Sequence, residues 1–127
     1  MARNKSETTV YHHTSKAGAR AILKSGRIKQ SDNRKGDARY GKGTYVTRMG
    51  PQRSKDKIAQ NNYDGATNYW EQQKDKGKTD VALEIKMSKH RVTSINATRR
   101  DIHKVKGDIL ARYIHKIHVR KDGEVSL

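Results

Sequence analysis

Apolar residues in this chain fall in short, separated patches, and the spacing inside each patch selects an element. Residues 8–12, Thr-Thr-Val-Tyr-His, are β-branched and aromatic and predict a first strand. Ser15 follows as an N-cap, Ala19, Ile22 and Leu23 recur at helical spacing, and Gly26 stands just past the end. Residues 15–24 therefore predict a helix with both stops written into the sequence. The polar stretch 29–42, with Ser31, Asp32, Asn33, Gly36 and Asp37, predicts a long exposed loop. Residues 44–47 predict a second strand ended by Gly50-Pro51, and 54–62 a helix whose apolar face is only Ile58 and Ala59. Tyr69 and Trp70 fit a helix or irregular chain, and 72–79 reads as a charged turn around Gly77.

The final third reads as strands. Along 80–87, Val81, Leu83, Ile85 and Met87 alternate with Ala82, Glu84 and Lys86, the period of a half-buried strand that sends Glu84 to solvent. Residues 91–95 and 101–105 predict shorter strands. Residues 109–120 alternate again, with Ile109, Ala111, Tyr113, His115, Ile117 and Val119 on one face and the basic residues of 112–120 exposed. Asp122-Gly123 supplies a turn. The sum is an α+β domain with mixed, mostly antiparallel strands. It is read as one domain over 1–127, with 1–7 and 121–127 as tails.

Composition narrows the partners. Only 31% of residues are hydrophobic, Phe is absent and Pro occurs once, so the core must come from Ile, Val, Leu, Ala, six Tyr and Trp70. Against 13 Asp+Glu stand 29 Lys+Arg, a net charge of +16 spread along the whole chain. Such an excess repels itself in a compact state and points to a polyanionic partner, nucleic acid first. Without cysteine there is no disulfide scaffold, thiolate zinc site or cysteine nucleophile. His115 and His118 are three apart, which on a strand sends them to opposite faces, and no metal site is expected. No apolar run reaches a spanning length and residues 1–9 are polar, so the expectation is a soluble, cytoplasmic chain without a signal peptide or membrane contact.

The chemistry is concentrated in two runs, Val10-Tyr11-His12-His13-Thr14-Ser15 and Tyr40-Gly41-Lys42-Gly43-Thr44-Tyr45-Val46-Thr47. Gly41 and Gly43 allow a tight turn and a close approach of backbone to ligand. Together with Ile22-Leu23-Lys24-Ser25-Gly26-Arg27-Ile28 and Asn61-Asn62-Tyr63-Asp64-Gly65, these runs resemble the poly(ADP-ribose) polymerase and diphtheria-toxin branch of ADP-ribosyltransferases. The pattern is most similar to the small toxin-like family with the HYD signature.

That resemblance implies a split sheet with NAD as co-substrate and no metal. His12 would meet a ribose hydroxyl, and His13, with Thr14 beside it, would hold the nicotinamide amide through backbone. Tyr45 would lie on the nicotinamide ring and Tyr63 would close the other side, flat aromatic faces suiting a cationic pyridinium. Gly43 belongs to the same NAD-binding set. The family places a carboxylate on a late strand, and the position ahead of Asp108-Ile109-Leu110-Ala111-Arg112-Tyr113 falls on Asp101, with Glu84 as the rival. His12, Tyr45 and Asp101 are the expected catalytic residues.

Neither Arg-Ser-Glu nor Glu-x-Glu is present, which disfavours the arginine-modifying toxins, and the lack of the polymerase glutamate implies transfer of a single unit. Cleaving the nicotinamide glycosidic bond develops positive charge on the ribose, which a carboxylate and fixed hydrogen bonds stabilise. Arg34, Lys35, Arg39, Lys42 and Arg48 ring the motif loops, and Arg99, Arg100, Lys104 and Lys106 flank the acid. Such groups position a phosphate backbone without reading its sequence, so RNA or DNA is the expected acceptor. A protein acceptor, with a cognate inhibitor or immunity protein as partner, is the toxin-type alternative. A non-catalytic module whose tyrosines stack bases is the other. A monomer is expected.

Overall fold

The computed structural model describes residues 6–31, 41–63, 68–96, 98–121 and 124–126, with the side chains of 121 and 124–126 excepted. Arg34, Lys35, Arg39, Tyr40, the Asp64-Gly65 pair and the Asp122-Gly123 turn lie outside these residues. The order is β1 (Glu7–Thr14), α1 (Lys16–Ser25), β2 (Arg27–Ile28), β3 (Thr44–Val46), α2 (Lys55–Asn62), α3 (Tyr69–Asp75) and β4 (Val81–Ser88). β5 (Val92–Ser94), β6 (His103–Val105), β7 (Ile109–Leu110), β8 (Ile114–Lys121) and β9 (Glu124–Ser126) follow.

The described residues form three antiparallel sheets, with orders β1-β4-β8-β9, β3-β6-β5 and β2-β7. This is the α+β class read from the sequence. The two larger sheets touch at one bridge, where Tyr11 N–H donates to the Thr47 carbonyl at 2.7 Å and Thr47 N–H donates back to Tyr11 at 3.0 Å. Val10, Val46, Leu83, Ile85, Val105 and Ile109, all nearly or fully buried, fill the core between these sheets, with Ala19 of α1 against them.

Local chemistry sets the helix ends as expected. Ser15 Oγ accepts from Gly18 N–H at 3.0 Å, and Gly26, at φ 81°, donates its N–H to Ile22. Ser54 caps α2 by accepting from Lys57 N–H at 3.2 Å. The charged turn read over 72–79 is corrected, because 72–75 belong to α3 and the turn comes after Asp75, with Gly77 at φ 81°. Glu, Gln and Lys favour helix without an apolar stripe to announce it, so periodicity does not reveal this one.

The single strand expected over 109–120 is also corrected. A 3₁₀ turn, Ala111–Tyr113, separates β7 from β8, and the register slips between Glu84 and Ile85 so that Ile114 faces Ile85. Ile114, Ile117 and Val119 then pack on the core, His115 is exposed, and His118 and Arg120 are buried on the other face. Arg120 is therefore no exposed cation: its guanidinium donates to the Pro51 carbonyl at 2.7 Å and to that of Arg53. Glu84, expected in solvent, is instead hydrogen-bonded to His118 Nε2 at 2.9 Å and its side chain is only 14% exposed.

Candidate active site

His12 comes directly after the Tyr11–Thr47 bridge that ties β1 to the chain leaving β3. Its Nδ1 lies 3.3 Å from the Tyr45 carbonyl oxygen. A carbonyl only accepts, so Nδ1 carries the proton and Nε2 is left as a lone pair. Burial pushes the His12 pKa down, against the opposing pull of the Tyr45 carbonyl, which keeps the ring neutral and that lone pair available. Leu83 is the β4 partner of His12, whereas Glu84 is paired with Tyr11 and so lies on the other face of the sheet.

His13 has a different task. Its Nε2 donates to the Met49 carbonyl at 2.7 Å, its ring stacks near that of Tyr11 with centroids 6.3 Å apart, and it is buried. Burial above all, helped by the nearby His12, Arg120 and His118 charges, lowers its pKa to about 4. The side chain ties the loop after β3 to β1 through Met49, and its Nδ1 is buried without a partner among the described residues. Thr14, half-buried, packs its hydroxyl over the first turn of α1, where a Cβ on Gly18 would come within 2.2 Å of it.

Tyr45 points its hydroxyl at the Gly41 carbonyl, which fixes the ring against the 41–43 turn. At Gly43 a Cβ would lie 2.5 Å from Lys104 Cγ and 3.0 Å from the Val105 carbonyl. Its own N–H and C=O are exchanged with Ser31. Glycine is thus required at 43 by the fold itself, with or without a ligand.

Asp101 stands ahead of β6, the neighbour of β3. One carboxylate oxygen accepts from the Arg48 N–H at 3.0 Å and from His103 Nε2 at 2.7 Å, and the side chain remains 34% exposed. Asn61, near the end of α2, grips the same residue through backbone: its Oδ1 accepts from Asp101 N–H at 2.7 Å and its Nδ2 donates to the Asp101 carbonyl at 2.8 Å. Asn61 Nδ2 also reaches Thr47 Oγ1 at 3.3 Å. Two residues on, Tyr63 caps α2 and meets the Tyr69 ring edge-on at 6.0 Å. Its burial, with Tyr69 adding to it, raises its pKa to about 12, so it stays a neutral aromatic face.

The structure therefore joins His12 to Tyr45 directly, and anchors Asp101 to Arg48 three residues further along the same segment. Asn61 connects Asp101 to Thr47 and to the α2 end that carries Tyr63. A model of the HYD1-signature-containing ADP-ribosyltransferases matches residues 10–113. The chain belongs to that family. No curated protein and no solved structure matches it. The match begins at Val10 on β1 and runs through Tyr113, so all the expected site residues fall inside it.

Of the basic residues expected at an acceptor, Lys42, Arg48 and Arg99 are exposed. Arg100 instead donates to the Asn61 carbonyl at 2.8 Å and to Thr98 Oγ1, latching α2 to the Asp101 segment. Asn61, Thr47 and His103 were not singled out by their sequence: an asparagine or threonine hub depends on partners far apart in the chain. Asn61 lies within the family-like Asn-Asn-Tyr run, which was the available signal. Among the described residues no group of three or more His, Asp and Glu could hold a metal ion, and no helix is long and apolar enough to cross a membrane.

Proposed function

We propose that the chain is an NAD-dependent mono-ADP-ribosyltransferase that releases nicotinamide and attaches ADP-ribose to a nucleic acid. The observation that carries the reading is the His12–Tyr45 contact, because it leaves a neutral imidazole with Nε2 as its acceptor, the form that takes a hydrogen bond from a ribose hydroxyl. The donor set thus fits NAD, whose chemistry is a glycosidic bond to a leaving group that departs neutral. His12 Nε2 orients the ribose, and Tyr45 and Tyr63 present neutral ring faces to the pyridinium. Asp101, held by Arg48 N–H and His103, offers a fixed negative charge where positive charge develops on the ribose. The bond formed joins the ribose carbon to an acceptor nucleophile, the bond broken frees nicotinamide with the electron pair, and the acceptor's proton passes to a base or to water.

A nucleic-acid acceptor is supported by the charge of +16 and by the exposure of Lys42, Arg48 and Arg99. A protein acceptor is the second reading, favoured by the toxin type of the family. Acting as a toxin, the domain would work in the cytoplasm of a target cell. Incubation with NAD labelled in the ADP-ribose part and separate pools of RNA, DNA and cell protein decides between them. Label on RNA or DNA that disappears with Tyr45→Ala supports the proposal; label on protein alone transfers it to the second reading.

A further inference from the structure

The outer face of the β3-β6-β5 sheet carries a second feature. Thr44, Val46, His103 and Val105 turn inward, while Tyr45 pairs with Lys104 and Lys104 pairs with Thr93, so these three side chains form one row across the opposite face. Beside Tyr45, around Lys104 and Thr93 of this row, opens a groove of about 640 Å³ lined by Lys42, His90, Arg91, Thr93, Lys104 and Lys106. Five of the six are basic or imidazole side chains and none is acidic. A domain gains nothing in stability by facing so many like charges into one concavity, where the low-dielectric walls concentrate their field.

Several of these groups are held in place by packing. The Arg91 guanidinium lies 5.2 Å from the Tyr113 ring centroid, with Arg112 at 5.1 Å from the same ring. Such stacking fixes the guanidinium and leaves its N–H fork to a partner. The Lys104 stem runs beneath Gly43, whose missing side chain is the space it occupies. Lys104 lies on β6 and Lys106 just past its end, and both line the groove.

We propose that this groove binds the phosphate backbone of a single-stranded nucleic acid and leads it to the catalytic cleft. The lead is given by the row itself: it begins at Tyr45, so a strand lying over Thr93 and Lys104 ends beside the tyrosine of the donor site. An acidic protein segment fits less well, because a groove lined by four Lys and Arg with no acid between them matches a chain that carries a negative charge at every unit. Phosphate contacts position without specifying, so sequence preference would come from the cleft rather than from the groove. The inference rests on the acceptor proposed above only for what the strand is led to; binding is a separate property.

The test is fluorescence anisotropy of a labelled single-stranded RNA or DNA oligonucleotide, without NAD, across a salt series. Wild type is compared with Lys42→Glu/Lys106→Glu and with a charge-matched double, Lys16→Glu/Lys24→Glu, on the exposed side of α1. All four positions are exposed, and thermal melts verify folding. The groove variant is expected to bind at least tenfold more weakly, with a salt slope shallower by roughly 1.4, about 0.7 for each phosphate of a single strand that is no longer neutralised. The α1 variant should change affinity by less than about threefold. Equal losses in both doubles, wild-type affinity in the groove variant, or tighter binding of an acidic polypeptide than of the oligonucleotide would overturn the proposal. Groove-dependent binding without labelling of nucleic acid by NAD would uphold the groove and remove the nucleic-acid acceptor.

Discussion

His12 Nδ1 and the carbonyl oxygen of Tyr45 lie 3.3 Å apart across 33 residues of chain. This contact links the two larger sheets, and it determines which ring nitrogen of His12 carries the proton. An imidazole left free to choose its tautomer would spend part of its time presenting N–H to a ribose hydroxyl; the carbonyl removes that ambiguity.

Asp101 and Glu84 separate by environment. Glu84 is committed to His118 on the sheet face away from His12, while Asp101 is more open and tied to the β3 segment. Asp101→Asn is expected to cut nicotinamide release at least a hundredfold with little change in melting temperature. Glu84→Gln should instead weaken the fold, leaving a buried His118 short of its charged partner, and retain most of the activity per folded molecule. Initial rates set beside thermal melts of the two variants test this.

Asn61 should be the most costly polar residue to remove. It is nearly buried and satisfies both the N–H and the carbonyl of Asp101 while reaching Thr47. Asn61→Ala leaves those backbone groups unpaired, for which a loss of about 1–3 kcal/mol is expected. Activity measured below the lowered melting temperature should still be reduced, because the Asp101 carboxylate loses its backbone anchor. Urea unfolding and kcat at a permissive temperature check the two parts.

His13 makes stability depend on pH. Its pKa falls from 6.5 to about 4 in the folded chain, so the unfolded state binds more protons between those values. Stability is therefore full above about pH 6.5 and is lost as the pH falls towards 4, by about 3 kcal/mol at roughly 1.4 kcal/mol per pKa unit. His12 is shifted in the same direction and adds to the loss. Urea midpoints from pH 7.5 to 4 should show this slope, and His13→Gln should flatten it while lowering stability at pH 7.5.

Gly43→Ala should destabilise by about 1–3 kcal/mol, since the Lys104 stem fills the space a side chain would need and the Val105 carbonyl closes it from the other side. Adding Lys104→Ala should recover part of the loss by making room. A double-mutant cycle followed by thermal melting reads that coupling.

The sequence made the local features legible. Ser15, Gly26 and Ser54 end helices through contacts three or four residues away, and the alternation of 81–87 marks β4. His12, Tyr45 and Tyr63 were read from short runs that resemble the family's, and those runs lie inside the matched range. Long-range polar partners were not legible: nothing in the alternation of 109–120 shows that a 3₁₀ turn shifts its face, so the burial of His118 and Arg120 and their pairing could not be read. For the same reason Glu84 was placed in solvent, since alternation gives a side and not a neighbour. The helix of α3 was hidden by its polar composition, and Asn61 by partners in β3 and ahead of β6.

Release of nicotinamide from NAD by the wild-type chain, followed chromatographically beside His12→Gln and Asp101→Asn, tests the account most directly. Wild type is expected to release nicotinamide measurably, faster with nucleic acid present, and both variants to fall at least a hundredfold while their melts show folded protein. No release by folded wild type with NAD and nucleic acid present, or undiminished release by either variant, would contradict it.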